Sequence, residues 1–240
     1  MNENKKVIIK AIDYRYPTRN ELIDIYKSEP LLHNFGFPYV NSLAMLLDGE
    51  SSTEEVNRGD QLYWWDHCLL NRIGSLTHAY RNSKVHYDRG IPNDTRQFEH
   101  EHYINRIQFD FYAETFYYFF SSVRDNIAQI LNVYFYLGIS EHAIHLNGEF
   151  LKKISNVNVV MSLKKFMSDT QKASEYRNSF AHRYPITHPD NRTKIEEING
   201  RQVFYSTEGN FVRTDDIAES TVNSLLSLST FLIELKEEIR

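Results

Sequence analysis

Four stretches of the chain repeat apolar residues every three or four positions, the spacing that gathers side chains on one face of an α-helix. The first covers about residues 60–82 and steps through Leu62, Trp65, Leu69, Ile73, Leu76 and Tyr80, with Gly59 and Asp60 as the expected start and cap. The second runs from about Arg106 to Leu137 on Phe109, Tyr112, Phe116, Phe119, Val123, Ile127, Ile130 and Tyr134. Phe120, Leu131 and Phe135 widen that stripe, which predicts neighbours on several sides, and Gly138 is placed to end the helix. The third spans about Val160 to Arg183, with Leu163, Phe166, Met167, Thr170, Ala173 and Phe180 as its inward residues. Pro185 disfavours helical dihedrals at Tyr184 and should stop it there. The fourth begins near Thr214, whose hydroxyl can cap, with Asp215 and Asp216 at the positive end of the helix dipole. Its stripe is Ile217, Thr221, Leu225, Leu228, Leu232, Leu235 and Ile239. Four such helices cover one another's apolar faces, so the expected fold class is all-α, a four-helix up-down bundle.

Two segments fall outside this pattern. Residues 1–57 hold a short strand signal, Lys6 to Ala11, followed by weakly periodic stretches broken by Pro17, Pro30 and Pro38. They read as an irregular N-terminal extension capping the bundle of residues 58–240. Between helices three and four, Thr193 to Ser206 alternates around Asn199-Gly200, a pair suited to the positive φ angles of a two-residue turn, which predicts a small β-hairpin. A sheet joining this hairpin to the N-terminal strand is a further expectation.

Composition narrows the function classes. Fifteen Phe and sixteen Tyr offset a hydrophobic fraction of 41%, because aromatic side chains bury large areas each. A net charge of −5 argues against a protein that coats nucleic acid through a broad positive field. A local basic cleft stays open, since Lys164, Lys165, Lys172, Arg177, Arg183 and Arg192 outnumber Asp169, Glu175 and Asp190; a plain solvated helix face accounts for the same residues. Cys68 is the only cysteine, so no intrachain disulfide can form. The apolar stretch from Phe109 to Leu137 carries Asp110, Glu114, Arg124 and Asp125, charges that are costly in a bilayer, so no membrane partner is expected. Lys10 interrupts the apolar run near the N-terminus and no small-residue cleavage site follows, so the chain reads as cytoplasmic.

The chemistry concentrates in Arg177-Asn178-Ser179-Phe180-Ala181-His182-Arg183-Tyr184. Asn178 and His182, four apart, share a helix face, and Arg177 reaches across from one position round. Cleaving RNA without a metal needs a base for the 2′-hydroxyl, an acid for the leaving 5′-oxygen, and positive charge on the phosphorane. His182 can serve as acid or base; near a helix C-terminus the dipole favours its protonated form, which suits the acid. Arg177 stays charged and matches two phosphate oxygens, while Asn178 can orient His182 or hold a phosphate oxygen. Lys172, Arg124 and Asp125 are candidate supporting residues, and Arg183 and Tyr184 candidate RNA contacts. One copy of the set is thin for catalysis, whereas two copies across a two-fold axis give a composite cleft, so a homodimer is expected. The plainer account is that Arg, Asn and His cap the last carbonyls of a helix and bridge to acidic neighbours.

The run Arg-Asn-x3-His resembles the active-site motif of the HEPN superfamily, whose ribonuclease members carry Arg, four to six residues, then His. With Arg183-Tyr184 it is similar to the Arg-x4-His-x-Tyr version of toxins that pair with a nucleotidyltransferase antitoxin. The resemblance implies a dimer-interface site for metal-independent RNA cleavage by Arg177, Asn178 and His182, without a cofactor, and AMP modification of Tyr184. It covers about residues 60–240 in topology; the longer N-terminus suggests another branch, such as the HEPN group named after a Clostridium thermocellum protein, in anti-phage defence or toxin-antitoxin pairing. A non-catalytic HEPN module binding a nucleotide or RNA, or acting as a scaffold, is the alternative.

Other constellations compete less well. Arg81-Asn82-Ser83-Lys84-Val85-His86-Tyr87 repeats part of the motif at what should be the frayed end of helix one, as coincidence or as an auxiliary RNA-contacting patch. His100 and His102 flank Glu101, and His142 and His145 lie three apart, but neither pair has a full ligand set, and both read as surface histidines. Trp64 and Trp65 follow the helical stripe and read as core or dimer interface.

Overall fold

Apolar residues at helical spacing over more than thirty positions produce two long helices, which set the frame. In the computed structural model, which describes residues 8–49, 51–182, 186–187, 192–205 and 212–239, with the side chains of Thr95 and His182 outside that description, α3 spans Thr53–Asp88 and α4 spans His100–Tyr134. Each is about 50 Å long at 1.5 Å per residue. They pack antiparallel. Arg58 at the start of α3 donates to Tyr134 O at the end of α4 (2.9 Å), and Tyr87 at the other end packs on Phe109.

Both helices differ from their sequence-derived limits. α3 begins at a reciprocal cap, in which Glu55 N donates to Ser52 Oγ (3.2 Å) and Ser52 N to Glu55 Oε2 (2.9 Å). Gly59 is therefore interior rather than initiating, and a Cβ there would come within 2.8 Å of Val40 Cγ2. At the far end α3 continues to Asp88, so the second motif copy lies inside the helix and not at a frayed end. α4 stops at Tyr134, before the left-handed Tyr136 (φ 53°) and Gly138 (φ 65°).

The other elements line up against this pair. The short α5, Gly148–Leu151, lies in the connection after α4. The third periodic stretch is two helices, α6 (Val157–Asp169) and α7 (Gln171–His182), parted at Thr170. Thr170 leaves the helical region (φ −109°, ψ 15°), and its hydroxyl donates back to Phe166 O at 2.7 Å. α8, Thr214–Glu238, runs antiparallel to α6, with Phe231 stacked on Phe166 at a centroid distance of 4.3 Å. Thr214 is not the cap: it is the first helical residue, and its Oγ1 accepts from Arg106 Nη1 at 2.6 Å. Arg106 also donates to Thr187 O (2.9 Å), so it joins the chain leaving α7 to the chain entering α8. The hairpin is as expected, β1 (Lys194–Ile198) pairing antiparallel with β2 (Arg201–Tyr205) around Asn199 and Gly200, both at positive φ. No third strand joins it among the described residues; 8–10 are irregular, 11–13 form a 3-10 turn, and Lys6 and Val7 lie outside the description.

The N-terminal segment carries α1 (Arg19–Ser28) and α2 (Ser42–Asp48), separated by an irregular stretch. That stretch is fastened to α3 by Asp66, which is 2% exposed. Its carboxylate accepts from the backbone N–H groups of Phe35 (2.8 Å), Gly36 (2.7 Å) and Phe37 (3.0 Å), and from Asn34 Nδ2 (2.9 Å). Gly36 has φ 73°, the left-handed conformation that turns successive N–H groups toward one anion. Phe35 beneath it is buried in the core.

Asp66→Ala would orphan these buried donors. We expect a loss of about 3 kcal/mol in urea unfolding, together with faster proteolysis between α1 and α2 than in wild type; an unchanged unfolding midpoint would exclude this anchoring role.

Candidate active site

α7 buries Ala173, Tyr176 and Ser179, and that inward face fixes where its other residues point. Tyr176 meets Tyr117 of α4 edge-on at 5.6 Å between centroids, and Phe180 stacks on the same ring at 6.1 Å. Ser174, Arg177 and Asn178 are thereby turned along the α4–α7 seam, where they line a cleft of about 360 Å³. Ser121, Arg124 and Asp125 form its α4 wall, and His145 and Leu146 its end.

Of the residues singled out in the sequence, this cleft brings together Arg177, Asn178, Arg124 and Asp125. Arg177 Nη1 donates to Asn178 Oδ1 at 3.2 Å. His182 is the last residue of α7, while Arg183 and Tyr184 lie outside the described residues. Lys172 does not line the cleft; its ammonium sits 5.6 Å from the Tyr176 ring centroid.

The α4 wall is electrically uneven. Arg124 is part-buried and gives Nη1 to Ser174 Oγ, while Ser174 donates its own proton to Thr170 O at 3.3 Å. Arg124 Nε is buried without a hydrogen-bond partner among the described residues, and burial lowers the guanidinium below its ordinary pKa. Burial pushes the Asp125 carboxyl up, against the opposing pull of His145, Arg124 and Arg177. His145 Nδ1 lies 3.9 Å from Asp125 Oδ1.

His145 and Ser174 line the cleft without having been candidates for it in the sequence; His145, read there as a surface histidine, is indeed exposed. His145 sits between two buried neighbours, Ile144 and Leu146, in a loop strapped to α4. Asn132 exchanges two hydrogen bonds with Ile139 (3.0 and 3.1 Å), and Gln129 donates to Glu141 O at 3.0 Å. The apolar, His, apolar alternation at 144–146 was the only local signal. The other histidine pair has different duties: His102 Nδ1 accepts from Glu99 N at 3.0 Å, and His100 faces Asp13 at 3.6 Å. No group of three or more His, Cys, Asp or Glu side chains among the described residues is arranged to hold a metal ion.

The second motif copy is structural in its placement. Arg81 pairs through two nitrogens with Glu29 of the N-terminal segment and lies 4.8 Å from the Tyr26 ring. Asn82 donates to His78 O at 2.7 Å. His86 is fully buried, stacked at 6.0 Å on Tyr112, with Arg89 Nη1 3.4 Å from its Nδ1. Arg81 ties the end of α1 to α3, and because His86 is buried the copy offers no open Arg81–His86 pair.

A family model described as HEPN_Cthe2314-like HEPN matches residues 65–236, about seven-tenths of the chain. No curated protein and no solved structure matches. Among the described residues no helix is long and apolar enough to cross a membrane.

Burial, reinforced by Arg89, lowers the His86 pKa to about 4. The folded chain therefore binds this proton less well than the unfolded chain does. Stability is full above the unfolded value, about 6.5, and falls as the pH drops from there toward 4, by about 2–3 kcal/mol. Urea unfolding across this range should show the decline in wild type and a flatter profile in His86→Gln; parallel profiles would exclude His86 as the source.

Proposed function

The chain belongs to the HEPN superfamily, in its Cthe2314-like family, and from that membership we propose that it is a metal-independent endoribonuclease whose reaction takes place at the end of α7. The observation that carries this reading is the joint placement of Arg177 and Asn178 in one cleft with Arg124, just before the helix closes on His182.

In the proposed reaction the 2′-oxygen of a ribose attacks the adjoining phosphorus, a base removes the 2′-hydroxyl proton, and an acid protonates the departing 5′-oxygen. The products are a 2′,3′-cyclic phosphate and a 5′-hydroxyl. Arg177 neutralises the phosphorane through its forked donors. Asn178, whose Oδ1 already accepts from Arg177, has its amide N–H groups to give to a phosphate oxygen or to orient His182. His182 carries the proton as acid or base.

A single chain supplies one His182, and the reaction needs both an acid and a base. A homodimer, with two α7 ends meeting across a two-fold axis, supplies both. The resemblance to toxins of nucleotidyltransferase pairs extends the proposal to a cytoplasmic toxin or anti-phage effector held in check by such an antitoxin or another defence partner, with Tyr184 the residue open to modification. The N-terminal segment is then a cap particular to this branch, tied on through Asp66.

A second reading draws on the size of the cleft, about 360 Å³, which falls in the range of small-ligand sites. In that reading the chain is a non-catalytic module that binds a nucleotide or RNA end.

Incubation with RNA in excess chelator separates the two. We expect cyclic-phosphate ends from wild type, a rate about 10²–10⁴ lower for His182→Ala, and one about 10²–10³ lower for Arg177→Ala. Equal cleavage by all three proteins overturns the nuclease; tight nucleotide binding without turnover selects the module.

A further inference from the structure

The arginines that are half-buried elsewhere in the molecule have found partners. Arg81 meets Glu29, Arg89 meets Glu21, and Arg106 meets Asp110, while Arg58 lies 5.2 and 4.5 Å from the ring centroids of Tyr134 and Tyr136. Arg124 has less than any of them. Among the described residues no carboxylate lies at salt-bridge distance from it, its one hydrogen bond goes to a neutral serine oxygen, and its Nε, like that of Arg58, is buried and unpartnered, but without the aromatic rings that cover Arg58. A guanidinium taken out of water with so little return is costly unless an anion completes it.

We infer that Arg124, held by Ser174, is the seat of a second phosphodiester of the bound strand, the one adjoining the group that Arg177 contacts. This rests on the nuclease reading for its choice of ligand. The tether makes the seat a built one. Ser174 is polarised by its own donation to Thr170 O (3.3 Å), at the break between α6 and α7, and so presents its oxygen to Arg124. The guanidinium then faces the same cleft as Arg177, Asn178 and Ser121.

Charge sets the class of anion. Arg124 and Arg177 contribute two positive charges, and Asp125 on the same wall opposes them, with His145 placed 3.9 Å from its carboxylate. A phosphodiester with one charge per group suits such a wall better than a free phosphate dianion, which Asp125 repels. The planar fork of Arg124 also matches two non-bridging oxygens, where a lysine would offer a single point charge.

The test uses a 2′-O-methylated trinucleotide, which carries two phosphodiesters and cannot cyclise, with inorganic phosphate as the competing probe, both at fixed ionic strength. Wild type should bind the trinucleotide and be stabilised by it thermally, with little response to inorganic phosphate. Arg124→Met should weaken trinucleotide binding about 10- to 100-fold, while its ligand-free melting temperature stays at or above that of wild type, because an uncompensated charge has been removed. Arg124→Lys, which keeps the charge and most of the stem, should lose affinity at the wild-type melting temperature, and this carries the test should the Met variant fold poorly. Unchanged trinucleotide affinity in both variants overturns the seat, as does tighter binding of inorganic phosphate than of the trinucleotide. The two readings fail separately: wild type that binds through Arg124 but cleaves no RNA removes the nuclease and leaves the seat, whereas active wild type with full affinity in both variants removes the seat alone.

Discussion

Tyr117 is the interaction on which the rest of this structure depends. Its ring, 1% exposed in the middle of α4, meets Tyr176 edge-on and stacks on Phe180, and its hydroxyl donates to Ile217 O of α8 at 3.3 Å. Three helices are thus set against one another through one side chain. Because Tyr176 and Phe180 face inward on α7, Arg177 and Asn178 cannot; they turn along the seam toward α4. Burial energy, at about 25 cal/mol per Å² of apolar surface, is what aims the polar residues of the cleft. The same ring lies in the cleft's wall, so packing and site share a surface.

The break at Thr170 has a comparable reach. One uninterrupted helix over 157–182 would continue in the direction of α6, whose Phe166 stacks on Phe231 of α8. Parting the stretch at Thr170 lets α6 pack against α8 and α7 against α4. It also places Thr170 O where Ser174 can donate to it, and Ser174 in turn holds Arg124. A local competition between a hydroxyl and the helical hydrogen-bond ladder therefore propagates into the electrostatics of the site.

The N-terminal segment shows how similar residues acquire different roles. Arg81, Asn82 and His86 repeat the spacing of Arg177, Asn178 and His182, yet His86 is buried against Tyr112 and Glu29 takes the guanidinium. Arg89 completes the arrangement by donating to Glu21 and to Arg15 O and Tyr16 O.

Much of the fold could be read from the chain. Stripes such as Leu69, Ile73 and Leu76, or Phe116, Val123 and Ile127, have a period that only a helix satisfies, and Asn199-Gly200 supplies positive φ at low cost, so helices and hairpin were legible. The limits of those helices were less so. The sequence pointed to Gly59-Asp60 as the start of α3, whereas the cap is Ser52 with Glu55, each side chain accepting from the other's backbone N–H. Within the site, Arg177 and Asn178 were legible as residue types at a helix end, but their neighbours were not. His145 and Ser174 come from a loop and from the far side of a helix break, with no periodic signature joining them to α4. Local spacing determines which residues share one helix face, since that depends only on backbone geometry. Which faces meet, and so which guanidinium lacks a salt-bridged carboxylate among the described residues, was decided by the tertiary packing around Tyr117, because burial sums contacts between segments far apart in sequence.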